Sequence, residues 1–319
     1  MTQVTSRELE TLLQLACFHY LTAAQVEAFL FDGSTLQPAS RTRVARRIIA
    51  GLVRSGFVQA AQRIIAGGSG PARRVYALTG SGEAVLRRTG RRAGPPPARR
   101  GSLFVEHALM TAEVGLAVRR AARAEPGPRL ISWESDWDLQ AAIPGSPLVP
   151  DARLVLATAG LELHAFLEVD RATERPAAFA RKIAAYLDWY GSGSWQEHLK
   201  LWPVVLVITP TVVRATSLRR TTETVLARSW SVEGMEFRFA TLMDLQNRGP
   251  VAEIWQVAGR VGTHPLLDDD TIHPRTADVA EAPATASALG FDLACCPPTL
   301  EGTPCTSNEP LQQKTGDHS

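Results

Sequence analysis

The chain has 319 residues, 45% of them hydrophobic and 21% charged, enough for about two globular domains with extensions. No apolar run approaches the roughly 20 residues needed to span a bilayer, and the first residues lack the basic-then-apolar profile of a secretory leader, so a soluble, cytoplasmic protein with no membrane partner is expected. A net charge of +2 conceals a division: residues 1–101 hold 15 arginines against five acids, a surplus of ten, whereas the remaining 19 basic and 27 acidic residues leave the rest at −8.

Residues 6–19 place Leu9, Leu12, Leu13, Leu15 and Ala16 on a helical period, and a second helix follows over LTAAQVEAFLF with Thr22 as its N-cap. A third opens at Ser40. On its wheel Val44, Ala45, Ile48, Ile49 and Leu52 gather on one side, and Arg43, Arg46, Arg47 and Arg54 on the other. Gly56 stops it. FVQAAQRII and RRVYALT then read as a hairpin around the turn AGGSGPAR, with Arg63, Arg73 and Arg74 on or beside it, and a short helix follows.

That order predicts a winged helix-turn-helix over residues 1–90. An arginine face is commonly just a solvated helix surface, but here the wing, the helix order and the basic surplus all favour a polyanion. Double-stranded DNA is the expected partner, met at phosphates by guanidinium groups. Arg41, Thr42, Arg43 and Arg46 near the start of the third helix face the major groove in this reading, with Arg47 beside them and Arg73 and Arg74 on the wing.

Residues 91–101 form a basic linker stiffened by Pro95, Pro96 and Pro97. Over 102–262 the pattern reads helix, strand (RLISWESDWDLQ), two strands around Ala159-Gly160, helix, strand, helix, strand: an α/β (α+β) domain with a small mixed sheet. From 263 to 319 no period is sustained, and a disordered tail is expected. The four cysteines, Cys17, Cys295, Cys296 and Cys305, match neither zinc spacing nor a disulfide framework.

If Ala159 and Gly160 are a two-residue hairpin loop, Asp151 lies opposite Glu168, and alternation puts Asp170 on the same face. The three carboxylates then converge, with side-chain roots about 5 to 7 Å apart. Such a patch repels itself unless a cation sits in it; oxygen-only ligands favour Mg²⁺, with Mn²⁺ as the alternative. Strand ends reaching solvent would explain the same acids without an ion.

Pro150-Asp151, a hairpin, then Glu168-x-Asp170 and a helix resembles the PD-(D/E)XK nuclease core. The wider layout, with EHALMTAEV, SWESDW, VPDARLVL and FLEVDRATERPAAFARKIAAYLDWY, is similar to the replication-relaxation family associated with plasmids and mobile elements. The resemblance implies a restriction-endonuclease-like sheet domain in which Asp151 and Glu168 hold the metal, Asp170 assists, and a lysine positions the attacking water. This chain departs from the pattern by carrying Asp170 where lysine is expected; Lys182 on the following helix is the substitute. Glu106 or Glu113 is a candidate for an additional acid, His107 reads as a hydrogen-bonded structural residue, and Glu174 and Tyr186 match the family pattern without an assigned role.

Two functions follow. The first is a DNA-binding protein of plasmid or mobile-element replication or maintenance with a Mg²⁺-dependent, phosphodiester-cleaving domain. The second is a replication or transcription regulator whose nuclease-like domain is inactive and serves homodimerisation or contacts with replication or mobilisation proteins.

Overall fold

The computed structural model describes residues 4–64, 73–90, 94, 101–124, 127–158, 161–229, 234–267 and 273–274. Helix α1 (Ser6–Phe18) starts at a capping box in which Thr5 and Glu8 satisfy each other's backbone N–H. It leaves through His19, a non-glycine residue at φ 62°, into β1 (Tyr20–Thr22). Thr22 caps α2 (Ala23–Phe31) as expected. Helix α3 (Pro38–Arg54) begins two residues before Ser40, because the proline ring is preset for the first helical position. Gly56, at φ 72°, takes the left-handed conformation that ends it. Strands β2 (Val58–Ile64) and β3 (Arg73–Leu78) pair antiparallel, β1 adds to the other side of β3, and α4 (Gly80–Arg88) follows. The turn between β2 and β3 and the side chain of Arg63 lie outside the described residues.

The second half begins with α5 (Ser102–Arg123) and β4 (Arg129–Ser135). The run expected as one strand, RLISWESDWDLQ, breaks at Ser135, which caps α6 (Asp136–Ala142) through a reciprocal box with Asp138. Then come β5 (Ala152–Thr158), β6 (Leu161–Val169), α7 (Pro176–Ser192), β7 (Val204–Thr209), α8 (Val212–Leu226), β8 (Phe237–Thr241), α9 (Leu242–Arg248), β9 (Gln256–Val257) and β10 (His273–Pro274). The sheet runs β4-β5-β6-β7-β8-β9, with β10 on the early part of β6. β4, β5 and β6 form an antiparallel meander, while α7 and α8 carry parallel crossovers to β7 and β8. This is a mixed α/β domain.

Alternation along β6 sorts its two faces. Leu163, Ala165, Leu167 and Val169 join the core beneath α5 and α9, and Phe166 joins the one beneath α7 and α8, stacked on Trp189 at 5.7 Å. Ala152 pairs with Leu167, so the hairpin has the register that sets Asp151 across from Glu168; its loop, Ala159-Gly160, is outside the described residues.

The winged helix and the sheet are not separate beads, since one hydrophobic core runs through both. Phe18 packs on Trp133 at 5.6 Å and lies under Gly115, where a Cβ would stand 2.5 Å from the ring. Trp137 Nε1 donates to the Ala16 carbonyl at 3.1 Å, and His19 Nε2 lies 2.8 Å from Asp136. Most of the expected 91–101 linker is outside the described residues, but Gly94 sits close against the Trp137 ring. Residues 263–267, assigned to the tail on composition, are seated instead: His264 bridges to Trp255, the buried Arg238 guanidinium holds the Pro265 carbonyl, and Leu266 is buried. Apart from β10, the rest of the expected tail, with its three cysteines, lies outside the described residues; Cys17 is a free, buried thiol. Among the described residues no helix is long and apolar enough to cross a membrane.

Candidate active site and nucleic-acid interface

The acid centre forms at the end of the sheet where helices from both layers reach it. Glu168, near the end of β6, is 3% exposed, a position a carboxylate tolerates only when its oxygens are satisfied. Lys182 Nζ donates to its Oε2 and Tyr186 Oη to its Oε1, both at 2.7 Å. These donors stand four residues apart on α7, one turn above the other on a single face.

Asp151, just ahead of β5, accepts the Val169 N–H at 2.7 Å through Oδ2, while its Oδ1 lies 2.9 Å from His107 Nε2 on α5. The structure therefore brings together Asp151, Glu168 and Lys182, adding His107 and Tyr186. The sequence offered no derivable role for Tyr186; its i, i+4 spacing from Lys182 was the available signal.

Asp170 goes elsewhere. β6 ends at Val169, and beyond it the Asp170 carboxylate accepts the Ala172 N–H at 3.0 Å and a two-pronged grip from Arg214 on α8, at 2.7 and 2.8 Å. The same guanidinium holds the Glu174 carbonyl at 2.7 Å. Strand alternation put Asp170 on the Glu168 face, the side on which α7 and α8 pack, but there an arginine 44 positions away takes the carboxylate. Ala172 stands at φ 58°, a left-handed alanine, so this turn carries local backbone strain. Glu106 pairs with Arg171 in the same turn, and Glu113 accepts from Gln25 and Gln246, so neither joins the acid centre.

The electrostatics couple the members. Burial pushes the Glu168 carboxyl up, as does the Asp151 charge, and Lys182 and Tyr186 only partly counter this, so it sits above its ordinary value. Burial also works against the Asp151 anion, but the His107 hydrogen bond and charge, with Lys182 and the Val169 N–H, override it and hold the carboxyl below its usual value. Burial opposes the charged forms of His107 and Lys182 as well; the neighbouring carboxylates prevail and raise both, so Lys182 stays an ammonium. Burial, then the Glu168 charge, raises the Tyr186 phenol well up, leaving it a donor.

The expected three-carboxylate cage is not the arrangement found: no group of three or more metal-ligating side chains forms among the described residues. A smaller set, two carboxylates, could hold Mg²⁺. That ion is commonly held by one or two carboxylates, with waters and substrate phosphate completing the shell. Asp151 and Glu168 offer that pair, and the Lys182 ammonium, drawn by both acids, already marks the place between them as favourable for positive charge.

On the winged helix, Ala45, Ile49 and Leu52 of α3 are buried, while Arg43, Arg46 and Arg47 are exposed, as are Arg73 and Arg74 at the start of β3. Arg41 and Thr42 are half-buried, the Thr42 hydroxyl turned back to the Pro38 carbonyl at 3.1 Å. No carboxylate among the described residues pairs with the five exposed arginines.

A winged helix fused to a mixed-sheet domain bearing an Asp, Glu and Lys centre defines the class of molecule. Within it, the chain belongs to the replication-relaxation family, whose model matches residues 12–205, more than half of its length. No curated protein matches it. Among solved structures the restriction endonuclease FokI is similar over 78% of this chain and 45% of its own, at 13% identity and a TM-score of 0.29. The chain thus spans less than half of that enzyme's length.

Proposed function

We propose that this is a double-stranded DNA-binding protein of plasmid or mobile-element replication or maintenance, whose sheet domain acts on the phosphodiester backbone. The observation that carries the binding reading is the exposed, unpaired arginine set on α3 and β3, with Ala45, Ile49 and Leu52 of α3 buried in the core. In the sheet domain Asp151 and Glu168 would hold Mg²⁺, or Mn²⁺ in its place. When bound, the ion would supply Lewis-acid stabilisation of charge on a phosphoryl oxygen. Lys182 remains protonated, so its part is to orient a water or a phosphate oxygen and offset developing negative charge, not to accept a proton. Tyr186 fixes one Glu168 oxygen, and the Asp170–Arg214 pair locks the turn from which α7 departs.

Fluorescence anisotropy with labelled duplex tests the first half. The Arg43→Glu, Arg47→Glu variant is expected to bind on the order of 100-fold more weakly, and wild-type affinity to fall steeply with salt. For the second half, supercoiled plasmid should be nicked with Mg²⁺ or Mn²⁺ by wild type and not by Asp151→Ala or Glu168→Ala.

A second reading is favoured by one observation: both oxygens of Asp151 and of Glu168 already have partners within the protein, as they would in a domain kept for its shape. The chain is then a regulator whose sheet domain meets a second copy or replication or mobilisation proteins. Duplex binding without nicking under either metal selects it.

A further inference from the structure

We propose that the first two turns of α5 mechanically join the wing sheet to the acid centre, with Glu106 and His107 as positioning residues, so that a duplex seated on the wing is felt at Asp151. The joining itself follows from packing; its response to a duplex rests on the DNA-binding reading above.

At 100° per residue, Phe104, Val105 and Ala108 share one side of α5, Glu106 lies opposite it and His107 on its flank. The first side is built into the wing sheet. Val105 and Ala108 are buried against Tyr20 of β1 and Val75 and Ala77 of β3, the strand that opens with Arg73 and Arg74. Phe104 meets the Tyr20 ring edge-on at 6.1 Å and the His19 ring at 6.0 Å. The rest of this turn meets the acid centre through His107 and the turn after β6 through Glu106. His107 orients Asp151, whose second oxygen takes the Val169 N–H, and Glu106 pairs with Arg171, which also donates to the Leu103 carbonyl at 3.0 Å.

Val169 and Arg171 flank Asp170, beside the strained Ala172. A displacement of β3 therefore has a packed route through one helical turn to the residues that present Glu168 and Asp151, and close-packed interiors transmit such displacements instead of absorbing them.

Hydrogen–deuterium exchange on the full chain tests this in two arms. Without DNA, Phe104→Ala on the wing side and His107→Ala on the acid side should each speed exchange over residues 167–172 by about ten-fold. Residues 129–135 of β4 should stay unchanged, and His107→Gln, which keeps a donor at that reach, should restore the wild-type rate. Phe104→Leu replaces Phe104→Ala if the larger truncation does not fold. Wild-type exchange at 167–172 in these variants, or equal acceleration throughout, overturns the joining.

With a short random-sequence duplex at low salt, wild type should gain protection at both 73–78 and 167–172, and His107→Ala at 73–78 alone. Protection confined to 73–78 in wild type overturns the response while duplex binding stands. No protection at 73–78 defeats the DNA-binding reading instead, and the first arm still decides the joining.

Discussion

The α3–β3 surface and the acid centre are both dense in charge, and they treat it in opposite ways. On the winged helix, Arg43, Arg46, Arg47, Arg73 and Arg74 stand exposed without a carboxylate partner among the described residues. At the sheet's end, Glu168 and Asp170 are held by Lys182 and Arg214, Asp151 by the His107 imidazole, and each also takes an N–H or O–H donor. Like charges left facing water cost little and leave the surface ready for an anion; carboxylates taken from water must be paired where they sit. Removing charge should therefore damage association in one region and folding in the other.

The largest expected effect breaks the Asp170–Arg214 pair. Arg214→Met strands a 7%-exposed carboxylate and should cost about 3–5 kcal/mol of stability by denaturant unfolding, with Asp170→Asn added on top recovering part of it. Next comes Tyr186→Phe, which leaves one Glu168 oxygen buried without its donor and should cost about 1–3 kcal/mol. Neither change should alter the salt dependence of duplex binding. The converse substitution, Arg73→Ala with Arg74→Ala, should lower that salt slope by about two while the thermal midpoint stays where it was.

The smallest effect is on pH dependence, read by thermal unfolding in metal-free buffer. The folded state raises His107 above 6.5, so its bound proton stabilises the fold fully below that value, and the contribution is lost as pH rises through the folded value. Glu168, raised above 4.5, has the same sign at lower pH: stability falls as pH climbs from 4.5 through its folded value. The depressed Asp151 carboxyl acts oppositely, losing its contribution as pH drops below 3.8. His107→Gln should flatten the decline above pH 6.5, a change of no more than about 3 °C in Tm.

The strongly periodic parts of the fold were legible. The apolar and arginine sides of α3 follow from its wheel, and the β5–β6 register follows from alternation plus a two-residue loop, which is why Asp151 and Glu168 could be placed together in advance. Helices α6 and α9 leave little trace in the sequence, although Ser135 with Asp138, and Thr241 with Asp244, carry the spacing of a helix start; seven-residue helices give too little period to show. Arg214 was invisible for a different reason. Its bond to Asp170 is set by how α8 packs on α7, and nothing local marks one arginine of a basic helix as the partner of an acid 44 positions earlier. Similarly, composition could not show that Arg238 and the Trp255–His264 bridge anchor residues 264–266.

Gly115 sets how closely the two halves of the molecule approach. Because α5 has no side chain there, it lies flush on Phe18, and even one methyl group would begin inside the ring's van der Waals envelope, 2.5 Å from its tip. A single added carbon is thus a wedge: Phe18 or α5 must give way, and the seam between the arginine-bearing and acid-bearing halves is disturbed without touching a charge.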